Sequence, residues 1–545
     1  MRLLLIRESS SLYRYSNTSY GLGLIGSVAK EVAEVKILDN NSLHKFYSIK
    51  DILKVIKAFS PHVIGFNVHA FNIYPTQRLI SAVAGSFKGI CLLGGGLHTF
   101  SEPQEVGEIG VHIVVKGEAE RTIKPLLCHI DAFADGDTRH FSISSELAER
   151  LRGLPGLLFR VNGSSLWEDT GPPKTLRDLD SLPFVDYDLF NLKDFLKRSC
   201  DSHFVTNVII GQRGCPFKCP FCHIENDTST GRIRENSASY KTAYVKFIRD
   251  KYDPEHIVFY DENFTLHRKA TIDFCRQLVQ NGLHEGITFS CQTNVVVPFD
   301  DELLQALKEA NFSQVGLGVE RLSKKSLALI RKNRTYETII HNIDLLNRYG
   351  IGVLANCLIG FPFDTVDTIR EETMLFEKNL EKIEVFSINN LLPPPGTKIY
   401  EQTRYKRWYF DPKVICWKPS LYHTIYNFSN NAWDVNYFNL DSETQNAIQR
   451  MKEHFYDITV RKMNSRLINV LHFLERGIAI VSLSVYRISP LLENILFSSP
   501  KYMREKARSF FLMKYYVKRK IGQDSQKRGL LISDEQSEPG GVVDG

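Results

Sequence analysis

Two successive series of short apolar runs, each run separated from the next by a helix-length amphipathic stretch, limit this chain to folds built on parallel sheets. Over residues 1 to about 130 the runs are RLLLI, VKILD, HVIGF, ICLLGGG and VHIVV, with GLGLIGSVAKEVAE among the intervening stretches. Five strands in such an alternation predict an open, doubly wound α/β sheet with helices on both faces, which binds ligands at the carboxyl ends of its strands. From about residue 204 the runs are FVTNVIIG, HIVFY, ITFSC, QVGLG, IGVLANC and EVFSIN, separated by stretches such as DELLQALKEANF and ETIIHNIDLLNRYG. Six repeats predict a partial (β/α)6 barrel of TIM type, whose site also lies at the strand ends.

Between the two series, ADGDTRHFSISS reads as a linker and LPGLLFRVNGSSLWEDTGPP as a hairpin turning at Asn162-Gly163. After LLPPPGT the strand pattern stops, residues 440–520 look mainly helical, and SDEQSEPGGVVDG has the composition of a disordered tail. The organisation expected is a sheet domain over 1–140, linker and hairpin over 141–200, barrel over 201–400, a mainly helical region over 401–520 and a tail over 521–545. Lys plus Arg is 68 against 62 for Asp plus Glu, and a net +6 spread over 545 residues gives no argument for a nucleic-acid partner. The first residues, MRLLLIRESSS, lack the apolar core and cleavage site of a signal peptide, so a cytoplasmic location is expected. The apolar stretch Gly477 to Tyr486 is about half of what a membrane-spanning helix requires.

Ten cysteines are too sparse for a disulfide scaffold, and only Cys215, Cys219 and Cys222 cluster, in GQRGCPFKCPFCHI. Three thiolates on one short loop can hold three corners of an iron–sulfur cube and leave the fourth iron without a protein ligand. A structural zinc site or an electron-transfer cluster would usually need a fourth ligand. His223 could supply it only by a tight local fold, and there is no second CxxC.

The CxxxCxxC spacing, with the aromatic Phe221 before the last cysteine, resembles the radical S-adenosylmethionine (SAM) superfamily. DENFTLHR, GLGVERLSKKSLALIRK, CLIGFPFDT and LLPPPGTKIYE, at successive strand ends, resemble its cobalamin-associated subgroup. The resemblance implies a 4Fe–4S cluster on Cys215, Cys219 and Cys222, whose free iron chelates SAM, and reductive cleavage of SAM to methionine and a 5′-deoxyadenosyl radical. It implies that Phe221 flanks the adenine and that Glu262, Gln292, Glu320 and Lys332 contact the polar parts of SAM. Two positions depart from the pattern: Asn294 stands where a basic residue is common, and Asp364 replaces the commoner Glu after GFPF.

Gly21, Gly23 and Gly26 spell GxGxxG, and Asp39 follows at the distance of a dinucleotide-binding acid. That fingerprint needs its first glycine directly after the strand, yet ESSSLYRYSNTSY intervenes. The segment better resembles the cobalamin-binding domain that precedes many radical SAM barrels. GGGLHTF and VVKGEAERT would be its ligand loops, which points to Gly94, Gly95, His98, Gly117 and Glu118. The DxHxxG signature that carries a cobalt-ligating histidine elsewhere is absent, and His69 and His98 stand at strand ends.

The resemblance implies a cobalamin-dependent methyltransferase acting on an unactivated carbon, served by a one-electron reductant such as flavodoxin or ferredoxin. Non-methylating radical oxidation, rearrangement or cyclisation is the alternative on the same fold, and a non-catalytic iron–sulfur or cobalamin carrier the alternative of another class. No catalytic acid or base is identified. Residues 501–520, KYMREKARSFFLMKYYVKRK, interleave eight basic residues with Phe and Tyr, as a helix on an anionic membrane does or as a solvated face does. With the apolar stretch before them they point to a small-molecule or lipid-like substrate and to peripheral membrane contact.

Overall fold

A computed structural model describes residues 1–8, 18–40, 47–70, 72–132, 141–190, 208–225, 233–332, 334–403, 438 and 440–462. The segment 501–520 and the tail 521–545 lie outside these residues, as does most of the region expected to be helical.

The five apolar runs of the first series become β1 (Arg2–Arg7), β2 (Glu34–Asp39), β3 (Val63–Asn67), β4 (Cys91–Gly95) and β5 (Ile113–Val115), all parallel, in the order β2-β1-β3-β4-β5. Leu3 to Ile6 are buried without alternation because both faces of the sheet are covered. One face packs on α1 (Tyr20–Ala29), α5 (Ile123–Ala132) and α6 (Ser145–Arg152); the other packs on α2 (Ile49–Phe59), α3 (Ile73–Ser86) and α4 (Pro103–Glu108). Ser48 starts α2 through a capping box with Asp51. The expected hairpin forms as β6 (Leu157–Phe159) and β7 (Glu168–Asp169), and rather than only linking domains it extends the sheet antiparallel beyond β5.

The second series becomes β8 (Val208–Ile209), β11 (His256–Phe259), β12 (Thr288–Asn294), β13 (Phe312–Glu320), β14 (Gly352–Ile359) and β15 (Val385–Asn390), parallel and in chain order. A small antiparallel pair, β9 (Gln212–Arg213) and β10 (Arg234–Glu235), is inserted after β8. Helices α7 (Ala238–Tyr252), α8 (Arg268–Gln280), α9 (Asp301–Glu309), α10 (Lys324–Leu329), α11 (Tyr336–Arg348) and α12 (Val366–Glu377) fall between the strands, and α13 (Ser442–Lys462) follows them. Along β14 every second residue is buried, whereas Leu354, Asn356 and Leu358 on the opposite face are only half-buried. The interior of this open barrel is therefore accessible, unlike the filled core of a closed one. Among the described residues no helix is long and apolar enough to cross a membrane.

Candidate active site

Gly214, in the left-handed region at φ 91°, turns the chain out of β9 into the cysteine loop. Cys219 is buried and Cys215 and Cys222 are half-buried. The loop is fixed at three points. Asn263 Nδ2 donates to Cys215 Sγ at 3.1 Å, Ile399 N donates to the Pro220 carbonyl at 3.1 Å, and the Phe221 ring meets Phe361 edge-on at 5.7 Å. Burial, together with the neighbouring Cys219, Cys215 and Glu320, pushes the Cys222 thiol up to about 12. Burial also raises the Cys215 thiol, with Glu262 adding to the shift and Lys332 opposing it. Three thiols on one short loop, two of them raised by burial, become thiolates together only around positive charge, so the donor set fits a metal cluster. Among the described residues no group of three His, Cys, Asp or Glu side chains could hold a single metal ion. A lone ion draws its ligands to one point, whereas a cube takes each thiolate at a different corner.

Polar side chains gather near the ends of β11, β12 and β13. Lys332, buried just after α10, lies 3.7 Å from Glu320, donates to Asn294 Oδ1 at 3.2 Å and also donates to the Gly318 carbonyl. Asn294 thus receives the ammonium of a lysine that follows α10. Gln292 and Glu262 are half-buried at the ends of β12 and β11. A methyl group on Gly318 would stand 3.1 Å from Glu320 Oε1 and 3.2 Å from Lys332 Nζ, and one on Gly316 would stand 3.3 Å from Gln292 Cγ. The two glycines of GLG therefore form a cradle along the inner face of β13 that any Cβ would fill.

Glu320 is held in a rare conformation. Its φ is 62°, Arg321 N donates to the Val319 carbonyl at 2.8 Å, and the register of β13 on β14 shifts between Gly318 and Glu320. This is a γ-turn of positive φ, which costs a non-glycine residue roughly 1–3 kcal/mol and persists only where its surroundings over-determine it. Two buried carboxylates do so. Asp364 Oδ2 pairs with Arg321 Nη2 at 2.6 Å and accepts the Gly360 and Phe361 amides at 2.8 and 3.0 Å. Glu372 accepts the amides of Leu322 and Ser323 at 2.7 and 3.2 Å. The shorter Asp364 thus ties the GFPF turn to β13 and does not reach into the cradle. Burial raises the Glu320 carboxyl, opposed by Lys332 and Arg321. Sequence reasoning missed Arg321, Glu372 and Asn263; the ER of GVER and the Asn of DENF were the available signals.

At the carboxyl edge of the first sheet, Gly23 and Gly26 of GLGLIGS are packing residues, whereas a methyl group on Gly21 would meet none of the described residues. A methyl group on Gly23 would stand 2.4 Å from Val185 Cγ1, and one on Gly26 would stand 2.9 Å from Leu189 Cδ1. Arg7 holds Asp39 through hydrogen bonds of 2.8 and 2.6 Å, so that carboxylate is engaged away from any nucleotide. Gly94 likewise makes room for α4, since a methyl group there would stand 2.6 Å from Val106 Cγ1. Gly95 has no such neighbour, and Gly96, missed in the sequence, turns at φ 105° against Val68. Beside it Asn67 Oδ1, at the end of β3, is buried without a hydrogen-bond partner among the described residues, which suits a ligand that donates there. His98 is buried with Nε2 2.8 Å from Glu105, and Gly117 turns at φ 62°. Although burial acts to raise it, Arg234 and Arg213 hold the Glu118 carboxyl below the usual range.

This edge faces the cysteine loop. Burial lowers the His69 imidazole to about 3, with Arg7, His98 and His223 of the cysteine loop contributing. Ser101 Oγ, after β4, donates to the Pro395 carbonyl, after β15, at 2.8 Å. Tyr20 of α1 donates to the Ile210 carbonyl at 3.2 Å. Both sets of strand ends therefore open on one region.

Sequence comparison agrees with this arrangement. The model of the radical SAM superfamily matches residues 209–376, and that of the B12 binding domain matches residues 14–127. A protein of Pyrococcus horikoshii named as an uncharacterized methyltransferase is 28% identical over 409 residues, covering 74% of this chain and 83% of its own. The anaerobic magnesium-protoporphyrin IX monomethyl ester cyclase of Cereibacter sphaeroides is 22% identical over 378 residues, covering 68% of this chain, and the chain spans only 58% of that relative's length. The solved structure of the radical SAM methyltransferase TsrM from Kitasatospora setae, with cobalamin and a 4Fe–4S cluster bound, shares the fold at a TM-score of 0.58 and 18% identity, covering 74% of this chain and 78% of that one. The cysteine loop at the mouth of an open barrel, the sheet edge that faces it and the two matching domains make this chain a cobalamin-binding radical SAM enzyme, with a 4Fe–4S cluster, SAM and cobalamin as its cofactors.

Proposed function

We propose that the enzyme transfers a methyl group to an unactivated carbon of a small-molecule or lipid-like intermediate. The observation that carries this reading is the meeting of the two strand-end edges, seen in the Ser101–Pro395 hydrogen bond and in His69 lying within electrostatic reach of both His98 and His223. When bound, the cluster with SAM supplies a hydrogen-abstracting radical and cobalamin a transferable methyl group, and both are needed on one substrate carbon.

The chain's own residues bind, orient and exclude water. Cys215, Cys219 and Cys222 hold the cluster. Lys332 and Glu320 present opposite charges side by side, as the carboxylate and ammonium of the methionine end of SAM require, while Gln292 and Glu262 bound the same cradle and Phe221 flanks the adenine. Gly95, Gly117 and His98 lie along the corrin side, Gly94 serves through the packing of α4, and Glu118 serves through its arginines. Residues 1–140 and 201–400 are the two binding units in this reading. A flavodoxin- or ferredoxin-like donor supplies the electron.

Cyclisation or oxidation without methyl transfer is the second reading, favoured by the named cyclase relative. Anaerobic reconstitution and product analysis separate the readings. Methyl transfer predicts S-adenosylhomocysteine, 5′-deoxyadenosine and a methylated product from candidate substrates. 5′-Deoxyadenosine and a dehydrogenated or cyclised product without S-adenosylhomocysteine establish the second reading, and no 5′-deoxyadenosine at all establishes a carrier.

A further inference from the structure

The cysteine loop leaves the barrel through β9 and returns through β10, and the register of this pair sets Arg213 directly opposite Arg234. Like charges facing each other across two strands repel, so a ladder this short is poorly suited to closing the loop by itself. The sheet domain supplies the missing charge. Glu118, in the loop after β5, takes Arg234 in a two-pronged pair at 2.6 and 2.8 Å and lies 3.2 Å from Arg213 Nη1, while Glu120 takes Arg213 Nη2 at 2.6 Å. All four side chains are at most 17% exposed. Arg234 also donates to the Leu176 carbonyl at 2.7 Å, which anchors the base of the loop to the segment between the domains.

We infer that Glu118 and Glu120 are positioning residues for the iron–sulfur cluster: they latch the base of the cysteine loop, so the loop's grip on iron depends on what occupies the sheet domain. The inference rests on the proposed role of Cys215, Cys219 and Cys222. Glu118 follows Gly117, whose positive φ sets the path of the β5 loop along the sheet's ligand edge. A ligand that orders this loop therefore orders the two carboxylates. By linkage, a closed latch favours the ligand as much as the ligand favours closure.

The test is iron release to EDTA from the anaerobically reconstituted full chain, with and without hydroxocobalamin. In the parent, hydroxocobalamin slows the release. In Glu118→Gln/Glu120→Gln, release is about tenfold faster or more, as expected for losing charge-assisted bonds of this burial, and is insensitive to hydroxocobalamin. A general loss of stability would accelerate release but would leave the response to hydroxocobalamin in place. Arg213→Gln, which keeps the Glu118–Arg234 pair, serves if the double variant does not fold, and it too releases iron faster. A parent that takes up no iron overturns the reading of the site and the inference with it. A parent that holds its cluster no longer than the variant, or without regard to hydroxocobalamin, overturns the inference alone.

Discussion

Replacing Asp364 with asparagine changes one atom in shape but removes the charge that faces a fully buried guanidinium. Arg321 and Asp364 each have completely buried side chains, and their contact is 2.6 Å. Arg321 Nε and Nη1 find no hydrogen-bond partner among the described residues, so the substitution takes away the one carboxylate in hydrogen-bond contact with the guanidinium among the described residues and leaves it over the Phe361 and Phe363 rings at 5.1 and 5.8 Å. Stranding a charge in this way costs about 3–5 kcal/mol, whereas removing both partners of a buried pair is often nearly neutral. Equilibrium unfolding in urea should therefore give Asp364→Asn a loss of about 3–5 kcal/mol. The loss from Arg321→Met/Asp364→Asn should fall short of the sum of the two single losses by at least ~2 kcal/mol. Because the pair also holds the turn at Glu320, the SAM concentration at half-saturation should rise in the single variant before unfolding begins. A loss under about 1 kcal/mol, or single effects that simply add, would refute the argument that this pair is uncompensated.

Three further outcomes follow from the site. Lys332→Met should raise the KM for SAM about tenfold or more, because the charge opposite Glu320 is gone, while the circular dichroism spectrum stays that of the parent. Gly318→Ala should weaken SAM binding in calorimetry, since the added methyl would stand 3.1 Å from Glu320 Oε1 and 3.2 Å from Lys332 Nζ and force them to shift; unchanged affinity would remove the cradle from the account. The Asp261 carboxyl is raised to about 7, chiefly by burial, with Lys241 opposing the shift and Glu262 adding to it. The folded state thus binds this proton more tightly than the unfolded chain does. The stability it contributes is whole below pH 4 and is lost as the pH rises through 7, and Asp261→Asn should flatten that part of the stability profile.

Much of this architecture was legible because its signals are local. Runs such as RLLLI must be strands buried on both faces, the Asn162-Gly163 turn supplies the positive φ its hairpin needs, and three thiols within eight residues leave few chemistries open. What escaped depends on distant partners. GxGxxG looks the same whether its glycines admit a phosphate or a neighbouring side chain, and only the approach of Val185 and Leu189 decides between them. Glu118 looked like a ligand-loop residue, yet its arginines lie 95 and 116 positions away. Arg321 finds Asp364 across 43 residues, and no periodicity announces such a pair. The strain at Glu320 was equally hidden, because a positive φ on a glutamate follows from the carboxylates that surround it and not from its own propensity.

The most direct test of the central claim is electron paramagnetic resonance of the reduced, reconstituted protein with and without SAM, paired with an assay for 5′-deoxyadenosine, in the parent and in Cys215→Ala, Cys219→Ala and Cys222→Ala. The account predicts a 4Fe–4S signal that SAM perturbs, with SAM cleavage in the parent and neither in any single variant. A variant that cleaves SAM at the parent's rate, or a parent cluster whose signal is indifferent to SAM, would contradict it.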